Sequence, residues 1–154
     1  MYYSPNIQTH ISTLKTILKN ICFINKMSYS TYGNLGKTEE EPPTEEQNSL
    51  VNIIQSQQHR ENICRNNRIV VIDNYTEWCG PCKFIAPQFI KMAGEYQGRV
   101  AFCKEDVDKP FQGRPPIRGV PCFHFYVNGE YKKDLTITGA DIGKVKETLD
   151  RMFN

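Results

Sequence analysis

Ile69-Val70-Val71-Ile72-Asp73-Asn74-Tyr75-Thr76-Glu77-Trp78-Cys79-Gly80-Pro81-Cys82-Lys83 joins an apolar run to a Cys-x-x-Cys, and its reading decides the fold. Four consecutive aliphatic residues, apolar on both faces, describe a central strand covered by helices on each side. A Cys-x-x-Cys leaving such a strand reads as a dithiol redox site. Two thiols three positions apart can close a small disulfide ring without backbone rearrangement, provided the second lies on the first helical turn after the strand. Gly80 tolerates the tight backbone there, and Pro81 presets a helical φ where its missing amide costs nothing. Cys79 then faces open helix-start amides and the positive end of the helix dipole, which favour thiolate over thiol and make it the attacking sulfur.

The competing reading of a Cys-x-x-Cys is half of a zinc site. A structural zinc needs a second close pair, which Cys22, Cys64, Cys103 and Cys122 do not form; only His124, two residues after Cys122, lends it any support. No metal is therefore expected. Six cysteines in 154 residues are too sparse for a disulfide-stapled secreted scaffold, and nothing resembles a cleavable signal peptide. A cytoplasmic or other reducing compartment follows.

Working outward, Leu50 to Ile54 is a short apolar stretch, and Ser56 is a suitable N-cap for a helix through Asn66. Cys79 to Tyr96 reads as a helix with Ile85, Phe89, Met92, Ala93 and Tyr96 near one stripe and a kink at Pro87. Val100 to Asp106 is the next strand. Phe123, Phe125 and Val127 alternate with Cys122, His124 and Tyr126, and Asn128-Gly129 predicts a hairpin into Tyr131 to Ile137. Ile142, Val145, Leu149 and Met152 with Phe153 share one face of a last helix. Strands alternating with helices, then a hairpin and a helix, give an α/β sandwich around a mixed sheet.

With its flanks, the stretch Val71 to Pro87 resembles a thioredoxin. The resemblance continues through Glu95-Tyr96-Gln97-Gly98, Lys104 with Asp106-Val107-Asp108, Ile117-Arg118-Gly119-Val120-Pro121, Asn128-Gly129-Glu130 and Gly139, in the order and near the spacing of that family. It covers residues 49–154 and implies a three-layer sandwich with helices on both faces of a mixed sheet. The implied activity is reduction of protein disulfides by dithiol exchange, with a Cys79-Cys82 disulfide as the oxidised state and no cofactor beyond the two thiols. The implied partners are disulfide-containing proteins and a thioredoxin reductase or other electron donor. Two other uses of the fold stay open: a binding or assembly subunit, and an oxidase or isomerase acting on folding proteins. The intact Cys-Gly-Pro-Cys speaks against the first, and the absence of the Gly-His pair of isomerases against the second.

Site roles follow from the same resemblance. On its own, Asp73 reads as a strand-end carboxylate turned to water, since ionisable groups are rarely buried. The family places a buried acid six residues before the first cysteine, so the resemblance makes Asp73 a proton acceptor near Cys82, with Lys104 beside it. An X-Pro bond is ordinarily trans, yet Pro121 stands where the family has a cis-proline. Val120 would then offer backbone to an extended substrate segment. Trp78, Gly80 and Pro81 complete the contact surface.

Several positions depart from the pattern. Cys122 stands where thioredoxins commonly carry threonine, and Cys103 precedes Lys104; both read as inert, buried small hydrophobes. Asn74 replaces an aromatic residue and needs a hydrogen-bond partner if buried. The segment Lys109 to Pro116 is short and rich in proline and glycine, so the family's helix there is expected to be short or absent and partner choice to differ. Residues 1–48 lie outside the resemblance. Glu39 to Gln47 reads as an acidic linker too poor in apolar residues to fold. Before it, Ile7, Ile11, Leu14, Leu18 and Ile21, with Lys15, Lys19 and Lys26, follow near-helical spacing, a weak resemblance to a targeting or membrane-surface helix that ranks behind the reading as a disordered or partner-binding arm. A net charge of +2 with scattered basic residues gives no case for nucleic acid.

Overall fold

The computed structural model describes residues 42–153; the amphipathic pattern from Ile7 to Ile21 lies outside them. The elements run α1 (Glu45–Ser49), β1 (Val51–Ile53), α2 (Gln57–Asn66), β2 (Ile69–Tyr75), α3 (Gly80–Glu95), β3 (Ala101–Asp106), β4 (Cys122–Val127), β5 (Glu130–Tyr131), a 3-10 turn (Lys133–Leu135), β6 (Ile137–Thr138) and α4 (Ile142–Arg151).

The sheet is mixed, in the order β1-β3-β2-β4-β5, with β6 also paired to β4. β2 lies parallel to β3 and antiparallel to β4, so Asp73 has Lys104 on one side and Phe123 on the other. Alternation along these strands separates two cores. On one face Val71, Phe102, Phe123 and Phe125 meet Phe89 and Met92 of α3 and Val145 and Leu149 of α4. On the other, Val70, Ile72, Cys103 and Tyr126 meet Cys64 and Ile63 of α2. The expected sandwich, with helices on both faces of a mixed sheet, is therefore the observed one.

Local signals account for most boundaries. Ser56 caps α2 by accepting from the His59 amide at 3.1 Å, and Asp141 caps α4 by accepting from Lys144 at 2.9 Å. Asn128 and Gly129 turn the hairpin with φ of +52° and +83°, the left-handed region that Asn and Gly tolerate best. α3 is continuous through Pro87.

Two expectations need correction. The acidic stretch does not stay unfolded to its end: Thr44 caps Glu45–Ser49 through a complete capping box with Gln47, whose side chain also lies against Gly94 of α3. Capping groups and the two acids of the first turn stabilise this short helix without apolar burial of its own. The strand expected over Tyr131 to Ile137 is broken instead into β5, the 3-10 turn and β6. Charged Lys132, Lys133 and Asp134 interrupt the alternation that a continuous half-buried strand would need.

Candidate active site

The redox motif sits where β2 passes into α3. Cys79 is the N-cap of α3, with its Sγ accepting from the Cys82 amide at 3.2 Å. Gly80 and Pro81 form the first turn, and Cys82 faces inward with Ile85 and Phe89. A Cα–Cα separation of 5.3 Å carries a Cys79–Cys82 disulfide, within the ordinary range for such bridges. Cys64, Cys103 and Cys122 are free and buried. A cleft of about 380 Å³ opens beside the disulfide, with Tyr75, Thr76, Cys82, Lys83 and Lys104 in its wall.

Asp73 is fully buried, and neither carboxylate oxygen has a hydrogen-bond partner. Desolvation pushes its pKa up to about 6, against the opposing pull of the Lys104 ammonium. Lys104 in turn lies over the Tyr75 ring at 4.2 Å from its centroid. Reading Asp73 as a strand-end residue turned to water would have been mistaken. The favourable neighbour is weak, so burial dominates and the acid titrates near neutrality.

The Val120–Pro121 peptide bond is cis. Pro121 is buried and Val120 half-buried, and the Pro121 carbonyl accepts from Gly139 at 2.8 Å. Trp78 is 73% exposed, yet its Nε1 donates to Asp108 at 2.9 Å. Asn74 finds its partner: its amide donates to the Cys122 carbonyl at 2.8 Å. Cys122 lies with its Sγ 3.5 Å from His124 Nε2. Burial raises the Cys122 thiol and lowers His124 to about 4, so both are neutral near pH 7. Among the described residues no group of three metal-ligating side chains gathers.

Sequence reasoning did not pick out two groups. Phe84 is 76% exposed beside the motif; since Cys82, Ile85 and Phe89 mark the buried stripe, helical periodicity places Phe84 on the open face. Glu105 is fully buried between Arg60 and Arg114, at 2.7 Å and 2.8 Å. Cys103 and Glu105 share a strand face, so a buried Cys103 implied an inward Glu105.

The Thioredoxin family model matches residues 50–151, about the span that surrounds this disulfide. The chain belongs to the thioredoxin family. Thioredoxin from Malassezia sympodialis is 37% identical over 102 residues, covering 64% of this chain and 95% of that protein. The solved Plasmodium falciparum thioredoxin superposes with a TM-score of 0.59 at 32% identity, covering 65% of this chain and 97% of the other. A thioredoxin f2 solved in complex with ferredoxin:thioredoxin reductase gives a TM-score of 0.61 at 28% identity, covering 68% and 96%. As a thioredoxin, the chain is a thiol-disulfide oxidoreductase that reduces protein disulfides, and its Cys79–Cys82 pair fits that activity.

Proposed function

We propose that Cys79 is the attacking thiolate and Cys82 the resolving thiol, a reading carried by the Cys82 amide that donates to Cys79 Sγ at the start of a long helix. That donor and the helix dipole stabilise negative charge on sulfur. In the reductive direction Cys79 thiolate attacks a substrate disulfide, and the departing substrate sulfur takes up a proton. The mixed disulfide is then broken by Cys82, whose proton passes to the Asp73 carboxylate as its sulfur bonds to Cys79. The second substrate sulfur leaves as a thiolate and takes up a proton as Asp73 releases its own, so the substrate has gained two electrons and two protons and the chain holds the Cys79–Cys82 bond.

Burial of Asp73 suits this step, because an acid with a pKa near 6 is ionised at neutral pH yet still basic enough to accept a proton. Lys104 tunes it. Trp78, Gly80 and Pro81 border the sulfurs, while Val120 beside the cis-Pro121 bond presents main chain to an extended substrate segment, a recognition mode that tolerates many sequences. Two thiols serve as the redox group, with no added cofactor. They are recharged by a thioredoxin reductase or another electron donor, as the solved thioredoxin f2 complex with a reductase suggests. Free Cys64, Cys103 and Cys122 suit a reducing compartment. No helix among the described residues is long and apolar enough to cross a membrane.

Trapping tests the assignment. Cys82→Ser should accumulate a mixed disulfide through Cys79, and Cys79→Ser should form none, as read by mass spectrometry with a disulfide protein. An adduct on Cys82 in the Cys79→Ser protein would reverse the two roles.

A further inference from the structure

The segment from Asp106 to Pro116 contains no helix, yet one largely buried ion cluster ties it down. Glu105 Oε1 accepts from Arg60 at 2.7 Å and from Arg114 Nε at 2.8 Å. The rest of the Arg114 guanidinium is spread over one turn: it donates to the carbonyls of Val107, Asp106 and Lys109, each at 3.1 Å. Arg60 reaches the same segment further on, at the Gln112 carbonyl. Inside the turn that Arg114 spans lies Asp108, whose own amide donates to Asp106 Oδ1 at 3.0 Å and whose carboxylate holds the Trp78 indole. An exposed tryptophan beside the disulfide is thus joined to a largely buried triad through one turn of chain.

We propose that the Arg60–Glu105–Arg114 triad positions the partner-facing surface of this thioredoxin, by fixing the Asp106–Lys109 turn and, through Asp108, the indole of Trp78. The inference rests on the reading that Trp78 borders the working dithiol. Apolar side chains of similar volume could replace a buried ion triad with little cost to stability. They could not donate to four loop carbonyls. The planar fork of Arg114 is what reaches Glu105 and the turn together, and a lysine, with a single point of charge, cannot reproduce it.

Trp78 is the chain's one tryptophan, so its fluorescence reads the end of this path without a label. The full chain and the variants Arg114→Met, Arg114→Lys, Asp108→Ala and the apolar triple Arg60→Met, Glu105→Leu, Arg114→Met are compared by acrylamide quenching. KM and kcat are then measured on insulin with a chemical dithiol re-reducing the chain, and the rate of the pre-reduced chain is measured on a small aromatic disulfide. Each variant should raise Trp78 quenching and raise KM for insulin about fivefold, equivalent to about 1 kcal/mol for one lost positioning hydrogen bond. Its kcat and its rate on the small disulfide should stay unchanged. Because both positions act on one path, the Arg114→Met, Asp108→Ala double variant should show the same fivefold and not its square.

Unchanged quenching and KM in a folded Arg114→Met or apolar triple variant, or an additive double variant, would overturn the proposal. If Arg114→Met does not fold, the triple and Arg114→Lys carry the same readouts. Should the parent chain reduce neither disulfide, the assignment of the dithiol fails, while quenching still decides the triad.

Discussion

Replacing Asp73 with Asn removes a charge that the interior does not compensate, and the size of the effect can be worked from its surroundings. In the fold the carboxyl has a pKa of about 6, raised from 3.8, because it is fully buried with both oxygens unpartnered. Below about pH 3 the acid is neutral folded and unfolded alike, so Asp and Asn should be about equally stable. Between about pH 3 and 6 the unfolded chain ionises and the folded chain does not, so the parent loses stability as pH rises and levels off above the folded pKa. About 2 pKa units at 1.36 kcal/mol each amount to about 3 kcal/mol. Asp73→Asn should therefore be more stable than the parent by about 3 kcal/mol near pH 8 in the oxidised state, and by about 0 near pH 3.

His124 sharpens the test, because it works in the opposite sense over nearly the same window. Burial lowers its pKa to about 4 from 6.5, so the unfolded chain binds the extra proton and stability rises with pH from about 4 to about 6.5. In the parent the two slopes offset each other. In Asp73→Asn only the histidine slope is left, and stability should climb by about 3 kcal/mol across that interval. Urea unfolding of both oxidised proteins at half-unit steps of pH measures the difference directly. A gap between them that does not widen with pH would refute the burial argument, and with it the claim that this carboxyl titrates near neutrality. The same substitution should slow resolution of the mixed disulfide near pH 7.

Lys104→Met removes the cation that holds the Asp73 pKa down, so the Asp73 midpoint should move above its parent value in a carboxyl-carbon NMR titration; no movement would mean that the two groups do not interact. A chain beginning at Pro42 should reduce a small disulfide as fast as the full chain and unfold at the same denaturant concentration. One beginning at Ser49 loses the Thr44 capping box and the Gln47 contact with Gly94, and its unfolding free energy should fall by about 1 kcal/mol, within the range for a lost cap; equal midpoints would show that α1 contributes nothing.

Much of this arrangement was written locally. Val70-Val71-Ile72 followed by Trp78-Cys79-Gly80-Pro81-Cys82 places a central strand and a redox helix start because each element draws on neighbours in sequence: apolar runs, a proline in the first turn, a sulfur at the N-cap. Asn128-Gly129 gives the hairpin for the same reason. The burial of Asp73 and the cis bond before Pro121 were not local in this sense. An aspartate after an apolar strand and an X-Pro pair ordinarily mean the opposite, and only the resemblance of the whole stretch reversed both expectations.

The triad shows where such reading fails physically. Arg60 and Glu105 lie 45 residues apart and Arg114 another 9 beyond, so no window of helix or strand length contains an acid with its bases. Each alone resembles a solvated charge. Yet strand alternation already aligned Glu105 with Cys103, and helical spacing aligned Arg60 with Cys64, so two apolar cysteines, both buried, marked the faces on which the charges would be trapped. A charge that shares a face with a core residue must find its counterion in the fold or be neutralised. Asp73 has no hydrogen-bonded counterion and titrates near neutrality, whereas Glu105 has two and ties down a loop. The difference between a proton acceptor and a structural anchor in this domain is therefore the number of guanidinium groups within reach of an otherwise similar buried carboxylate.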